Sequence, residues 1–134
     1  MPDFQIRVNA TRTGPIRDGR FQLAAHQYSD DMGYAVALHG ERLVQQRLRQ
    51  VLRNPTGYYQ SRITVERGRG GAYVVADGGV IYGPWLEGTG SRNFPVTRFR
   101  GYSTFRRVKP MVDRDSQRIA MDLLRRYQAR GLLR

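Results

Sequence analysis

A proline placed just after a strand-like run limits this chain more than any other feature. Ala72-Tyr73-Val74-Val75-Ala76-Asp77 has the apolar and aromatic content of a strand, Asp77-Gly78-Gly79 permits a bend, and Val80-Ile81-Tyr82 then runs into Gly83-Pro84-Trp85-Leu86-Glu87-Gly88-Thr89-Gly90. Pro84 fixes its own φ and biases Gly83 away from helix, so a strand arriving through Tyr82 cannot continue in mid-sheet and must turn or form an edge. The only tryptophan, Trp85, stands at that break. Gly88 and Gly90 bracket Thr89 where backbone can leave the domain or approach another segment closely. The expectation is a strand end that delivers a loop to a partner.

The rest of the chain supplies the body. Phe4, Ile6 and Val8 alternate with polar residues as in a half-buried strand, which Thr13-Gly14-Pro15 and Asp18-Gly19 break. Residues 21–28 are ambiguous. Ser29, Asp30 and Asp31 are N-cap candidates for a helix over 30–53 with Met32, Val36, Leu43, Val44, Leu48, Val51 and Leu52 inward, ended by Asn54-Pro55. Residues 58–66 alternate as a strand, and Arg67-Gly68-Arg69-Gly70-Gly71 joins them to residues 72–77 as a hairpin. Val80-Ile81-Tyr82 is expected as a further short strand. Residues 89–108 show little periodicity and are expected as a loop. Pro110 with Asp113 or Asp115 is expected to introduce a last helix to about residue 130, its stripe Ile119, Ala120, Leu123, Leu124 and Tyr127, with Gly131 as C-cap. The fold class is α+β: an antiparallel sheet with a long N-terminal-half helix and a C-terminal helix packed on it, plus a long extended basic loop. Residues 1–134 form one domain, with 1–29 a strand and an irregular arm and 30–130 the core.

Composition narrows the chemistry. With 134 residues and 40% hydrophobic content, one modest core is expected. No apolar run is long enough for a bilayer and no secretory leader is recognisable, so the chain reads as soluble and cytosolic at synthesis. The absence of Cys excludes disulfides, thiolate catalysis and cysteine zinc sites. His26 and His39 have no ligand-type spacing, Asp30-Asp31 and Asp113 with Asp115 stand where acids cap helices, and Ser61 lies mid-strand without a nearby His. Neither enzymatic activity nor a metal or cofactor is expected.

Charge points to partners. Lys plus Arg number 23 against 11 Asp plus Glu, a formal +12, and all the cations except Lys109 are Arg. A polyanion or an acidic protein surface is a plausible neighbour. Arg67-Gly68-Arg69-Gly70-Gly71 resembles an RGG element, but between two strands it reads as a turn. Arg92, Arg98, Arg100, Arg106 and Arg107 interleave with Phe94, Phe99, Tyr102 and Phe105. Such a segment can stack on bases or anchor a protein interface, and the interface is the favoured reading. Trp85 is either a core residue or an interface anchor.

One resemblance follows from these residues. A helix, then Asn54-Pro55-Thr56-Gly57-Tyr58-Tyr59-Gln60-Ser61-Arg62-Ile63, a hairpin, Tyr82-Gly83-Pro84-Trp85-Leu86-Glu87-Gly88-Thr89, a basic loop and a closing helix resemble, over roughly residues 30–130, the neck or tail-completion (head-tail joining, minor tail component) proteins of long-tailed phages and prophages. Gly57, Ser61 and Ile63 match that family's first element; Tyr82, Leu86, Glu87, Gly88 and Thr89 match its second, with Gly88 directly after Glu87 where many members keep one more residue. The resemblance implies a structural virion protein, made in the host cytoplasm, forming a ring of six subunits between head connector and tail tube; related rings act as tail terminators. Its partners would be itself, the connector or stopper, and the tail-tube or tail-terminator protein, with no membrane. On this reading Tyr82, Trp85, Leu86, Glu87, Thr89, Phe94, Phe99, Tyr102 and Phe105 form the interface, Glu87 pairing with an Arg across it, and Arg92, Arg98, Arg100, Arg106 and Arg107 face passing DNA. The alternative is a small basic nucleic-acid-binding module, which rests on the +12 charge, the Arg-Gly turn and the aromatic basic loop.

Overall fold

The computed structural model describes residues 4–9, 19–53 and 56–131. At its centre β3 (Tyr73–Ala76) pairs antiparallel with both β1 (Ile6–Val8) and β2 (Thr64–Arg67), giving a three-stranded sheet of order β1-β3-β2. Val75 stands opposite Ile6 and Val65, and Tyr73 opposite Val8 and Arg67. Period-two alternation therefore puts Ile6, Val8, Val65, Tyr73 and Val75 on one face and Arg7, Glu66 and Val74 on the other. The first face meets the helix α1 (Gly19–Val51), against which the second long helix, α4 (Thr104–Ala129), packs in turn. Val36, Ala37, Val44 and Leu48 of α1 and Phe105, Val108 and Val112 of α4 join Ile6 and Val75 in one core. The helices run antiparallel, since Tyr28 donates to the Ala120 carbonyl at one end (2.8 Å) while His39 meets Asp115 nearer the other (2.8 Å). This is the expected α+β arrangement, with the β2–β3 hairpin closed through Gly68 and a single 3₁₀ turn at Arg69–Gly71.

Several boundaries differ from expectation, each for a tertiary reason. α1 starts at Gly19, so residues 21–28 are helical and Asp30 and Asp31 lie inside the helix instead of capping it. The early turns are held by packing: Ala24 and Tyr28 cluster with Tyr127, Leu123 and Leu124 of α4. Asp30 accepts from Arg67 and from the Tyr73 hydroxyl (2.9 Å for the latter), and Asp31 accepts from the Tyr127 hydroxyl. The N-cap candidates are thus ties to other elements. The expectations at Thr13-Gly14-Pro15 and Asn54-Pro55 lie outside the described residues.

Residues 58–66 do not form one strand. Gly57 at φ 85 starts a short helix, α2 (Tyr58–Arg62), whose Ser61 amide donates back to the Gly57 carbonyl at 3.0 Å. Only β2 remains extended, and Ser61 is helical. Val80-Ile81-Tyr82 is a turn and not a strand, because Gly78 and Gly79 (φ 70 and 77) reverse the chain and Pro84 opens a one-turn helix, α3 (Gly83–Glu87). Pro suits the first turn of a helix, where its missing N–H would be unpaired anyway. α4 begins at Thr104, so Pro110 and Asp113 lie within it and cap nothing. Gly131 ends it as expected, at φ 70 with its amide on the Gln128 carbonyl (2.9 Å).

Leu48, 1% exposed, fills the middle of the shared core. Leu48→Ala is expected to destabilise the protein by about 2–5 kcal/mol, read as a lower denaturant midpoint with unchanged slope.

Candidate functional site

α3 and the segment that follows it form a closed structure, built mainly by backbone. The Pro84 carbonyl accepts from the amides of Gly88 (2.9 Å), Thr89 (2.9 Å) and Gly90 (3.2 Å), which turns the chain out of the helix. The chain returns to the same place: Tyr102 N–H donates to the Leu86 carbonyl (2.6 Å) and Ser103 N–H to the Glu87 carbonyl (3.1 Å). At the crossing Gly88, at φ 107, lies against Gly101; a Cβ on Gly88 would stand 2.2 Å from the Arg100 carbonyl oxygen. Only glycine fits there. Residues 88–103 are therefore a loop whose two ends touch, packed by its own side chains.

The packing inside is directed by Asn93, which is 4% exposed. Its Nδ2 donates to the carbonyls of Trp85 (2.9 Å) and Phe99 (3.3 Å), and its Oδ1 accepts from Gly90 N–H (2.8 Å). Phe94 N–H pairs with the Phe99 carbonyl at 2.8 Å. Trp85 packs on Phe99 at 4.6 Å between ring centroids, and Phe99 on Tyr102 edge-to-face at 5.1 Å.

Glu87 joins this loop to the core. It is 5% exposed, with Oε1 accepting from Phe105 N–H (3.0 Å) and Oε2 from Arg106 N–H (3.1 Å). These are unpaired amides of the first turn of α4, where a negative charge is also favoured by the helix dipole. Burial nevertheless raises the Glu87 pKa above its usual range; the hydrogen bonds from Phe105, Arg106 and Thr104 oppose that shift. The expected Glu87–Arg pair across a subunit contact is corrected here: the carboxylate is an internal cap, and both its oxygens are used.

A second buried acid, Asp77, holds the turn before α3. Its Oδ2 accepts from the Tyr59 hydroxyl (3.0 Å) and its Oδ1 from Gly79 N–H (3.0 Å). A Cβ on Gly83 would fall 2.0 Å from that Oδ2, so glycine is needed for this approach. Burial, then the Asp77 carboxylate, pushes the Tyr59 phenol far up. Between the long helices, Asp115 sits 2.8 Å from His39 Nε2 and 3.1 Å from Arg114 Nε, and the Arg114 hydrogen bond followed by that of His39 lowers its pKa to about 2. Asp115 was expected as a helix-start acid; it is an interhelical acceptor.

The expected interface residues fall into three groups. Glu87 and Phe105 are buried; Trp85, Phe99 and Tyr102 are half-buried in the loop's own packing, and Leu86 is half-buried against the main core. Tyr82, Thr89 and Phe94 are exposed. Arg92, Arg98, Arg100, Arg106 and Arg107 are all exposed, but they do not share one pocket. Arg100, whose guanidinium lies over the Phe94 ring at 4.0 Å, lines with Arg106 a cleft of about 400 Å³ beside Glu87 and Thr89. Arg107 lines a different groove, between α1 and α4.

No protein-family model, curated protein or solved structure matches this chain. Among the described residues, no cluster of His, Asp and Glu could hold a metal ion, and no helix is long and apolar enough to cross a membrane. The exposed apolar residues are the feature that sequence reasoning missed. Ile81 is 97% exposed and Val96 70%, with Tyr58 and Tyr82 also open to solvent near Ile81. The signal was present: Asp77-Gly78-Gly79 before Ile81 and Pro84 after it leave no sheet for it to enter.

Removing the cap should show directly. Glu87→Ala leaves the Phe105 and Arg106 amides without their acceptor, and a cost of about 1–3 kcal/mol is expected for a buried group left unpaired. The single tryptophan should report it, with red-shifted emission in Glu87→Ala and a larger shift in Gly88→Ala. For pH, Asp115 has a folded pKa of about 2 against 3.8 when unperturbed, so its contribution to stability is present above 3.8 and lost as pH falls through 2. Glu87 has the opposite sign, its raised pKa making its contribution fall as pH rises from 4.5. The melting-temperature difference between wild type and Asp115→Asn should accordingly be full at pH 5, shrink below pH 4 and vanish only well below pH 2.

Proposed function

We propose that this chain is a structural, non-enzymatic subunit of a tailed-phage neck or tail, assembling head-to-tail into a closed ring. The observation that carries the reading is the near-complete exposure of Ile81 beside Tyr58 and Tyr82, together with a second exposed apolar site at Phe94 and Val96 on the loop. A ring contact is heterologous: each subunit presents two different patches, one of which meets the other patch on its neighbour. Two separate apolar patches on one subunit suit that requirement, and an isoleucine left in water suits a contact made only on assembly. The matched residues of the resemblance also occupy structural joints. Gly57 starts α2, Glu87 caps α4 and Gly88 permits the loop crossing, as expected of a protein whose function is its shape.

The loop is the natural donor to the neighbouring subunit. Its ends are fixed by the Gly88–Gly101 crossing and Asn93, so it is ordered before assembly and little entropy is lost on docking. Its exposed tip carries Phe94 with Arg100 over it, and Val96 two residues on. The adjoining rings of connector and tail are the remaining partners in this reading.

Ring formation is tested by light scattering after size exclusion across a concentration series, with electron microscopy of the same fractions. The expected result is a species of about six subunits growing in with concentration, reduced to monomer by Ile81→Asp and, independently, by Val96→Asp, both variants retaining the wild-type melting temperature. A wild-type chain that stays monomeric at every concentration, or rings that survive both substitutions, would overturn the reading.

A further inference from the structure

The long helices carry a second surface, separate from the apolar patches. On α4, Arg107, Met111, Arg114, Arg118, Met121 and Arg125 recur at alternating steps of four and three residues, and all are exposed. Such steps keep side chains on one helix face, so the arginines form a line roughly 27 Å long, bordered by Asp115 and Asp122. On α1 the same spacing gives Arg42, Gln46 and Arg49, followed by Arg53 just beyond the helix end, again all exposed.

The two lines meet at a groove of about 450 Å³, where Gln46, Arg47 and Gln50 of α1 face Arg107 and Met111 of α4. Within it Arg47 gives one guanidinium N–H to the Tyr102 carbonyl (3.1 Å), while its Nε is buried without a partner. Arg114 and Arg125 are partly neutralised by Asp115 (3.1 Å) and Asp122 (3.5 Å). No ion pair engages Arg42, Arg49, Arg107 or Arg118 among the described residues.

We infer that this two-helix face binds the phosphate backbone of double-stranded DNA without reading its sequence. Guanidinium groups held in line on rigid helices match a ligand that repeats its negative charge along an axis. Gln46 and Gln50 add amide donors of the kind that contact phosphate oxygens. A duplex is favoured over a single strand because no exposed aromatic ring stands between these arginines to stack on bases. DNA is favoured over an acidic protein because the face lacks the buried aromatic anchors from which protein interfaces draw most of their energy. The arginines of the loop are not needed for this contact, which moves the DNA-facing role from Arg92, Arg98 and Arg100 to the helices. Ring formation is not assumed, and a monomer carries the whole face.

The test is fluorescence anisotropy of the full chain with a labelled mixed-sequence duplex of about 25 base pairs, titrated from roughly 50 to 200 mM salt. Wild type should bind, with affinity falling linearly on logarithmic axes. The variant R42Q/R49Q/R107Q/R118Q should lower that slope by about 3–4, R107Q and R118Q singly by about 1 each, and the loop variant R92Q/R98Q/R100Q by less than about 1. Circular dichroism checks that each variant is folded, and the single variants decide the matter if the quadruple one is not. Absence of duplex binding at the lowest salt, an unchanged slope in the helix variants, a larger loss in the loop variant, tighter binding of a single strand, or binding of polyglutamate in place of DNA would each overturn the inference.

Discussion

The Glu87 carboxylate at the start of α4 is the interaction on which the rest depends. It stands where one short helix ends, where the loop begins and where the longest return of the chain begins its helix. Taking a carboxylate out of water is costly, and here two first-turn amides and the helix dipole offset part of that cost. The consequence is positional. With the amides of Phe105 and Arg106 fixed, Phe105 is aimed into the core, where its ring meets Phe4 edge-on at 5.3 Å, and Val108 and Val112 follow at helical spacing. The same residue's carbonyl receives Ser103, so one side chain and one peptide group together close the loop and start the helix.

Acids are scarce in this chain, and many of them tie one element to another. Asp30 and Asp31 tie α1 to Tyr73 and Tyr127, Asp77 holds Tyr59, Asp115 meets His39, and Glu87 caps α4. Charge-assisted hydrogen bonds of this kind are stronger than neutral ones and fix how the elements sit on one another. They also change the outside. Asp77 and Glu87 are buried and do not screen the arginines on the surface, so the exposed face is more basic than the composition alone implies.

Much of the fold was legible because its signals are local. The alternation about Ile6, the hairpin glycines and the apolar spacing of α1 and α4 each specify an element without reference to the rest. The misplaced boundaries are those set by distant partners. Residues 21–28 become helical because Tyr28 and Ala24 find Tyr127, which lies far along the chain. Residues 58–62 alternate like a strand but coil because Gly57 takes a positive φ and Tyr59 reaches Asp77. The start of α4 is set by Glu87, not by Asp113 or Pro110. Within the site, the glycines at 88 and 90 announced a close backbone approach, whereas nothing near Asn93 announces that it orders a whole loop. Glu87 was visible as a lone acid among basic residues; its burial was not, since burial belongs to the folded state.

The central claim is that residues 88–103 are a preordered part of the body, locked through Glu87 and the glycine crossing, and not a basic arm that orders on binding. Residue-resolved amide hydrogen exchange on the free protein tests this most directly. The account predicts that the amides of Gly88, Thr89, Tyr102, Phe105 and Arg106 are protected as well as those in the middle of α4. Exchange of these amides at the rate of an unstructured peptide, with α4 still protected, would contradict it.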